Sequence, residues 1–354
     1  MGRRSLLALL IVASVLVLCG SCAKKTPTLN LLVWEGYADA SYVKAFEEAN
    51  HCKVSASYIG SSDDLVAKLR GTPANYDVIS PSSDVATMIA TSGLAAPLDL
   101  GKLPTYGQLS PQLTSLSLVR AKGDVYGVPF MWGPDPMIFD TTAFRQPPDS
   151  WTVLWDPKLK GKVSVWDDIS TVYMAAQVLG YDKPDPGHLY NLSDEELDAV
   201  KKKLIELKPN ISKMWSTAAE LTKIFENHEA VIAMGWPLMT NQLRKVNFPV
   251  GEVIPKENTT GWIDHLMITA SSENKDLAYK FLEFMIQART QKQVSDVTGY
   301  TPANPHAAQF MTPDEVKNLH LDDVDSYQAR LYFYQNVRRR EKYNEIWKEV
   351  KAAQ

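Results

Sequence analysis

Lys162 to Gly180 reads KVSVWDDISTVYMAAQVLG: a short apolar run, an acidic loop, then an apolar helical stretch closed by glycine. The same order occurs twice upstream, as LNLLVW, EGYAD and ASYVKAFEEAN from residue 29 and as YDVIS, PSSD and VATMIATSG from residue 76. Gly93 and Gly180 stand just past the last turn of their helices, where a left-handed backbone is wanted. Strand, loop and helix units at irregular spacing predict an α/β architecture with mixed, mostly parallel sheets flanked by helices. In open α/β sheets ligands bind beyond the carboxyl ends of the strands, which singles out the loops WEGYAD, PSSD and WDDIS.

Later segments extend the pattern. AVIAMGWP, residues 230–237, is an apolar run ending at Trp236, and the helix before it starts at Thr217-Ala-Ala-Glu220, the spacing of a capping box. TTGWIDHLMITA, residues 259–270, carries its polar residues at the entrance to the apolar run, as expected where a chain crosses between domains. NKDLAYKFLEFMIQ places Leu277, Phe281, Phe284 and Met285 on one helical face. The charge run RRREK at 338–342 reads as a solvated helix face.

The 354 residues exceed one typical hydrophobic core, and 45% apolar with 22% charged residues is ordinary for globular protein, so two domains are expected. Removing residues 1–21, which hold two arginines and no acid, takes the formal charge from -4 to -6. That balance argues against nucleic acid as a partner. Arg3 and Arg4 followed by the apolar run Leu6 to Leu18 have the shape of an export signal, too short to span a bilayer. Gly20 and Ser21 before Cys22 resemble a bacterial lipoprotein cleavage box, with Cys19 where that box usually has leucine. The expectation is a signal peptide over 1–21, acylation at Cys22 and a lipidated tether over 22–28, placing the chain on the periplasmic side of the membrane. Cys52 is then the one remaining thiol, which leaves no disulfide and no thiolate metal site and is expected to be a buried small hydrophobe.

Signatures of catalysis are mostly missing: no GxSxG, no glycine-rich phosphate loop, no HExxH, and six scattered histidines. No metal or cofactor is expected. The loops instead gather tryptophan, tyrosine and carboxylate: Trp34, Glu35 and Tyr37; Asp84; Trp166, Asp167 and Asp168; Trp236; Trp262 and Asp264; Tyr300; Tyr334 and Gln335. Any one of nine tryptophans is more readily explained by core packing, but their joint position at loop after loop is not. Aromatic faces attract cations by roughly 0.5–2 kcal/mol each, and carboxylates pair with ammonium groups. Together they describe a box for an organic cation.

At these residues the chain resembles the bacterial periplasmic spermidine/putrescine-binding proteins, the receptors of polyamine ABC importers. LLVWEGY, YDVISPSS, YGVPFMWG, SWTVLWDPKLKGKVSVWDD, GWIDHLMI, GYTPANPHA and Tyr334-Gln335-Asn336 carry the resemblance over almost the whole mature chain. It implies the two-lobed type II periplasmic binding protein fold, with the ligand in the interlobe cleft and closure on a hinge. The lobes are expected at 29–130 with 264–305, and at 131–263 with 306–354. The resemblance also implies a polyamine, putrescine or spermidine, as ligand and an ABC permease as partner. Carried over by position, Trp34, Tyr37, Ser82, Asp168, Trp236, Trp262, Asp264, Tyr300 and Gln335 are ligand residues, with Glu35, Ser83 and Asp84 beside them in the same loops. As alternate residues of one extended segment, Trp262 and Asp264 would face the same side, indole on methylenes and carboxylate on ammonium.

Departures from the family pattern bear on specificity. The first loop, Trp34-Glu35-Gly36-Tyr37, displaces its acid by one residue. Asp84 stands where the spermidine binder has an aromatic, and Thr171 where it has a second carboxylate. A buried ammonium without a partner is costly, so losing that acid should hurt a triamine more than a diamine, and putrescine is expected to bind at least as tightly as spermidine. A same-fold receptor for a sugar or iron is the alternative, and a glycoside hydrolase using Asp168 and Asp264 is the enzymatic one.

Overall fold

The computed structural model describes residues 26–353. The expected signal peptide and Cys22 lie outside the described residues.

The first half of the chain alternates strand and helix: β1 (Thr28–Trp34), α1 (Ala40–Asn50), β2 (Lys53–Ile59), α2 (Ser62–Gly71), β3 (Val78–Ile79) and α3 (Ser83–Thr91). The loops between them become helix caps at once, as where the Asp39 carboxylate accepts from the Ser41 N–H at 2.8 Å. After β4 (Val128–Pro134) and β5 (Met137–Asp140) comes the quoted segment, as β6 (Val163–Trp166) and α4 (Ser170–Val178). Gly93 and Gly180 close α3 and α4 at φ 78° and 82°, a left-handed conformation that glycine adopts at least cost.

The chain continues through α5 (Asp194–Leu207), β7 (Ile211–Trp215), α6 (Ala218–Glu226), β8 (Ile232–Met234), α7 (Pro237–Lys245) and β9 (Val250–Val253). Thr217 and Glu220 form the expected capping box at the start of α6. β10 (Thr259–Ile268), α8 (Lys275–Ile286), α9 (Ala288–Thr298), β11 (Thr301–Pro302), β12 (Leu331–Phe333) and α10 (Arg340–Ala352) follow. On α8, Phe281 and Met285 are buried, whereas Leu277 and Phe284 are half-buried against the same core. Cys52 is buried, and burial raises its thiol pKa.

These strands build two sheets. A seven-stranded sheet runs β11-β4-β10-β3-β1-β2, with β12 also on β10, and a five-stranded one runs β9-β5-β8-β6-β7. Parallel pairs join the strands of the strand, loop and helix units, β2-β1-β3 and β8-β6-β7, and also join β10 to β12. Antiparallel pairs involve β4, β5 and β10, which carry the chain toward and away from the change of sheet, and their partners β3, β8, β9 and β11. The sheets are thus mixed, with a larger antiparallel share than the repeated units alone suggest. The chain changes sheet between Pro134 and Met137 and again between Val253 and Thr259. β10 is buried along its whole length, so it forms the spine beside the first of these crossings.

His265 in β10 has a consequence for stability. It is 1% exposed, neither ring nitrogen has a partner among the described residues, and burial pushes its pKa from 6.5 down to about 3. The unfolded chain therefore takes up this proton near pH 6.5 while the folded chain resists it to about pH 3, so this group removes stability as pH falls through that window. Relative to His265→Leu, the native chain is expected to lose about 1.4 kcal/mol per pH unit below pH 6.5. Urea midpoints of the two proteins at pH 7, 6, 5 and 4 check this. Parallel pH profiles would sink it.

Candidate functional site

The carboxyl ends of β1, β6 and β7 and the loop after β8 bring four indoles together between the sheets. Trp34 meets Trp166 and Trp236 edge-on, with ring centroids 6.3 and 5.7 Å apart. Trp166 is stacked on Trp215 at 5.4 Å with planes 4° apart, and Trp236 stands perpendicular to both at 4.8 and 4.9 Å. The Trp166 N–H donates to the Gly60 carbonyl at 3.1 Å, so an indole of the five-stranded sheet is held by the loop after β2 of the other. The lobes are closed on each other.

On the opposite wall, Trp262 and Asp264 line the same cavity, as their alternate positions on β10 require. Gly133 makes room for the indole: a Cβ there would lie 2.9 Å from the Trp262 ring. The Trp262 N–H donates to the Pro134 carbonyl at 3.2 Å, and Tyr300 meets the Trp262 ring edge-on with centroids 4.5 Å apart. Trp34, Trp166, Trp236, Trp262, Asp264 and Tyr300 enclose a cavity of about 20 Å³. That is room for about one water, so entry of an organic cation requires these walls to part.

Asp264 is the one acid among the described residues that line this cavity. The Tyr37 hydroxyl donates to it at 2.6 Å, yet burial dominates and raises its pKa to about 8, with the charges of Asp84 and Asp135 adding to the rise. A register shift between Asp264 and His265 turns the strand here, where the Ser82 and Asp264 backbones form an isolated bridge. Ser82 and Ser83 are both buried at the start of α3, and the Ser83 hydroxyl has no partner among the described residues.

A second acidic group lies nearby. Asp168 accepts from the Ser170 N–H at 2.8 Å and hydroxyl at 2.6 Å, and burial raises its pKa to about 6 against the opposing charge of Arg340. Asp135, in the crossing after β4, is 2.6 Å from the hydroxyls of both Thr260 and Tyr334, and burial raises its pKa to about 7. The Tyr334 hydroxyl is also 2.7 Å from that of Ser170. If Ser170 donates to Asp168 and Tyr334 to Asp135, no proton remains for the Tyr334–Ser170 contact. A proton on Asp135 donated to Tyr334 completes the chain, in keeping with the raised pKa.

Several expectations change in this arrangement. Glu35 does not line the aromatic cavity; its carboxylate accepts from the Ala218 N–H at 3.1 Å, capping the first turn of α6 across the lobe boundary. Gln335 is exposed, as is Asn336 after it, while its neighbour Tyr334 is buried with its hydroxyl on Asp135. Thr171 gives its hydroxyl to the Trp166 carbonyl at 2.7 Å. Asp84 does not line the aromatic cavity either: it accepts from the Ser62 hydroxyl at 2.8 Å and from Arg340 at 2.7 Å. The RRREK run is therefore not wholly a solvated face, since Arg340, first residue of α10, is turned inward with its side chain 16% exposed. Sequence reading missed Asp135, which lies just past the YGVPFMWG motif, and Arg340, hidden among like charges.

A family model described as bacterial extracellular solute-binding protein matches residues 41–321. The spermidine/putrescine-binding periplasmic protein 1 of Haemophilus influenzae is 28% identical over 336 residues, covering 89% of this chain and 90% of its own. A putrescine-binding periplasmic protein of Escherichia coli is 26% identical over 349 residues, covering 94% and 93%. Among solved structures, the Tp0655 lipoprotein of Treponema pallidum superposes with a TM-score of 0.76 at 22% identity, covering 91% of this chain and 99% of its own, a likeness of fold.

Proposed function

Since the chain belongs to the bacterial extracellular solute-binding proteins, we propose that it is a polyamine receptor, which binds putrescine at least as tightly as spermidine and hands it to an ABC permease. The observation that carries this reading is a buried carboxylate, Asp264, walled by Trp34, Trp166, Trp236, Trp262 and Tyr300 with no cation of the chain among them. An ammonium entering there gains a charge partner and aromatic faces together. Asp168 and Asp135 supply acids for the second ammonium of a diamine. A neutral sugar would leave these acids without cations, and iron would find indoles that ligate nothing.

The hinge falls where the chain changes sheet, at 135–136 and at 254–258, and the lobes rotate about it. Amine binding favours the closed form because Trp34 and Tyr37 come from one lobe and Trp166 and Trp236 from the other, and the permease recognises that form. Acylation at Cys22 tethers the receptor to the envelope surface.

Calorimetric titration of the purified chain, stripped of bound amine, with putrescine, spermidine, spermine and a neutral sugar tests the reading. One-to-one putrescine binding, micromolar or tighter, with no response to sugar is expected. No heat and no thermal shift with any polyamine would assign the cleft to another ligand.

A further inference from the structure

Asp84 and Asp264 both lie in the closed cleft, but only one of them has a cation of the chain. The Arg340 guanidinium donates through Nη1 to Asp84 and through Nε to Asp63, each at 2.7 Å. Asp84 is 7% exposed by side chain, and the Ser62 hydroxyl at 2.8 Å fills its other oxygen. The remaining guanidinium nitrogen, Nη2, is buried without a partner among the described residues. Among the described residues no other ion pair joins a lysine or arginine to a carboxylate as buried as Asp84.

Arg340 also belongs to the opposite lobe from its partners. α10 is fixed to the five-stranded side by Lys201 to Glu349 at 2.8 Å, and by Trp347 and Lys351 to Asp167 at 2.7 and 2.6 Å. Asp63 and Asp84 stand in the first turns of α2 and α3. They line, with Arg340, an interlobe groove of about 570 Å³ that is distinct from the aromatic cavity.

We propose that Arg340 sets the length of the accepted ligand: it is a resident cation on Asp63 and Asp84, the acids that a further ammonium of a longer amine would need, so the cleft takes a diamine and disfavours a triamine. This rests on the polyamine reading. Aromatic walls and Asp264 hold one ammonium, Asp168 and Asp135 receive the other, and beyond them a triamine meets a positive charge. The interlobe ion pair also favours closure, but that contribution is common to all ligands and cancels in a ratio of affinities.

The test is the ratio of spermidine to putrescine affinity, by calorimetry, in the native chain, Arg340→Met and Asp63→Asn. Arg340→Met is expected to raise the ratio about tenfold, because a charge-assisted pair with Asp84 becomes available to the ligand. Asp63→Asn alters a partly exposed side chain and leaves the guanidinium less neutralised, so the ratio is expected to fall about threefold, the opposite direction. Ratios within twofold of native in both variants overturn the inference and leave the proposed function in place; a native chain that prefers spermidine overturns the inference together with the proposed ranking of the two amines, and leaves only the polyamine class. A native chain that binds neither amine overturns both.

Discussion

Asp264→Asn is expected to weaken putrescine binding roughly thirtyfold or more without lowering the stability of the amine-free chain. Removing one partner of a buried, hydrogen-bonded charge pair costs about 2–5 kcal/mol in binding, and each 1.4 kcal/mol is tenfold. Asp264 is such a partner: it is the carboxylate among the residues lining the aromatic cavity, and its hydrogen bond from Tyr37 is neutral. Stability should move the other way. Burial raises the Asp264 pKa to about 8, so the ionised carboxylate is disfavoured in the fold, whereas an asparagine of the same shape still accepts from the Tyr37 hydroxyl. Calorimetry and urea unfolding on the same preparation separate the two effects. Affinity within threefold of native would remove Asp264 from the site, and a large loss of stability would make it a structural residue first.

The architecture was legible where local chemistry and long-range pairing agree. An apolar strand, a loop that caps and a helix closed by glycine each carry their own signal, and the parallel pairings follow from repeating that unit. The shared facing of Trp262 and Asp264 on β10 was legible for the same reason, because alternation alone puts them on one side, and both line one cavity. Which of Tyr334 and Gln335 faces inward follows from the pairing of β12 with β10, more than sixty residues away in sequence. The position of Glu35 was not legible, because its partner is an N–H of the opposite lobe, at the start of α6. Arg340 was hidden for a different reason. In a run of like charges nothing local says which one turns inward; Arg340, the first residue of α10, is paired with Asp84 and Asp63 of the other lobe, whereas Arg339 is paired with Asp194 of its own. Asp135 gave no signal, since its role depends on Thr260 and Tyr334 reaching it from β10 and from the chain after β12.

Putrescine affinity is expected to rise with pH between 6 and 8, about fiftyfold if Asp264 alone sets the slope, and binding near pH 7 is expected to release protons. In the closed cleft burial raises Asp264, Asp135 and Asp168 to about 8, 7 and 6, so part of this group holds protons at neutral pH. An ammonium beside a carboxylate favours its charged form, and the amine keeps its own charges over this range, so the proton leaves from the acid. Stability of the amine-free chain has the opposite sign. These acids hold protons in the fold up to their raised pKa values but lose them near the ordinary 3.8 when unfolded, so the stability they contribute falls as pH rises from about 3.8 and levels off only above the raised values of about 6, 7 and 8. Titrations at pH 7 in phosphate and in Tris read the released protons directly, as a difference in enthalpy between buffers of low and high ionisation heat. In Asp264→Asn the pH slope should shrink by about one proton, leaving the smaller part owed to Asp135 and Asp168. Equal enthalpies in the two buffers together with flat affinity from pH 6 to 8 would mean that the amine displaces no proton from these acids, and that Asp264 is already ionised before the ligand arrives.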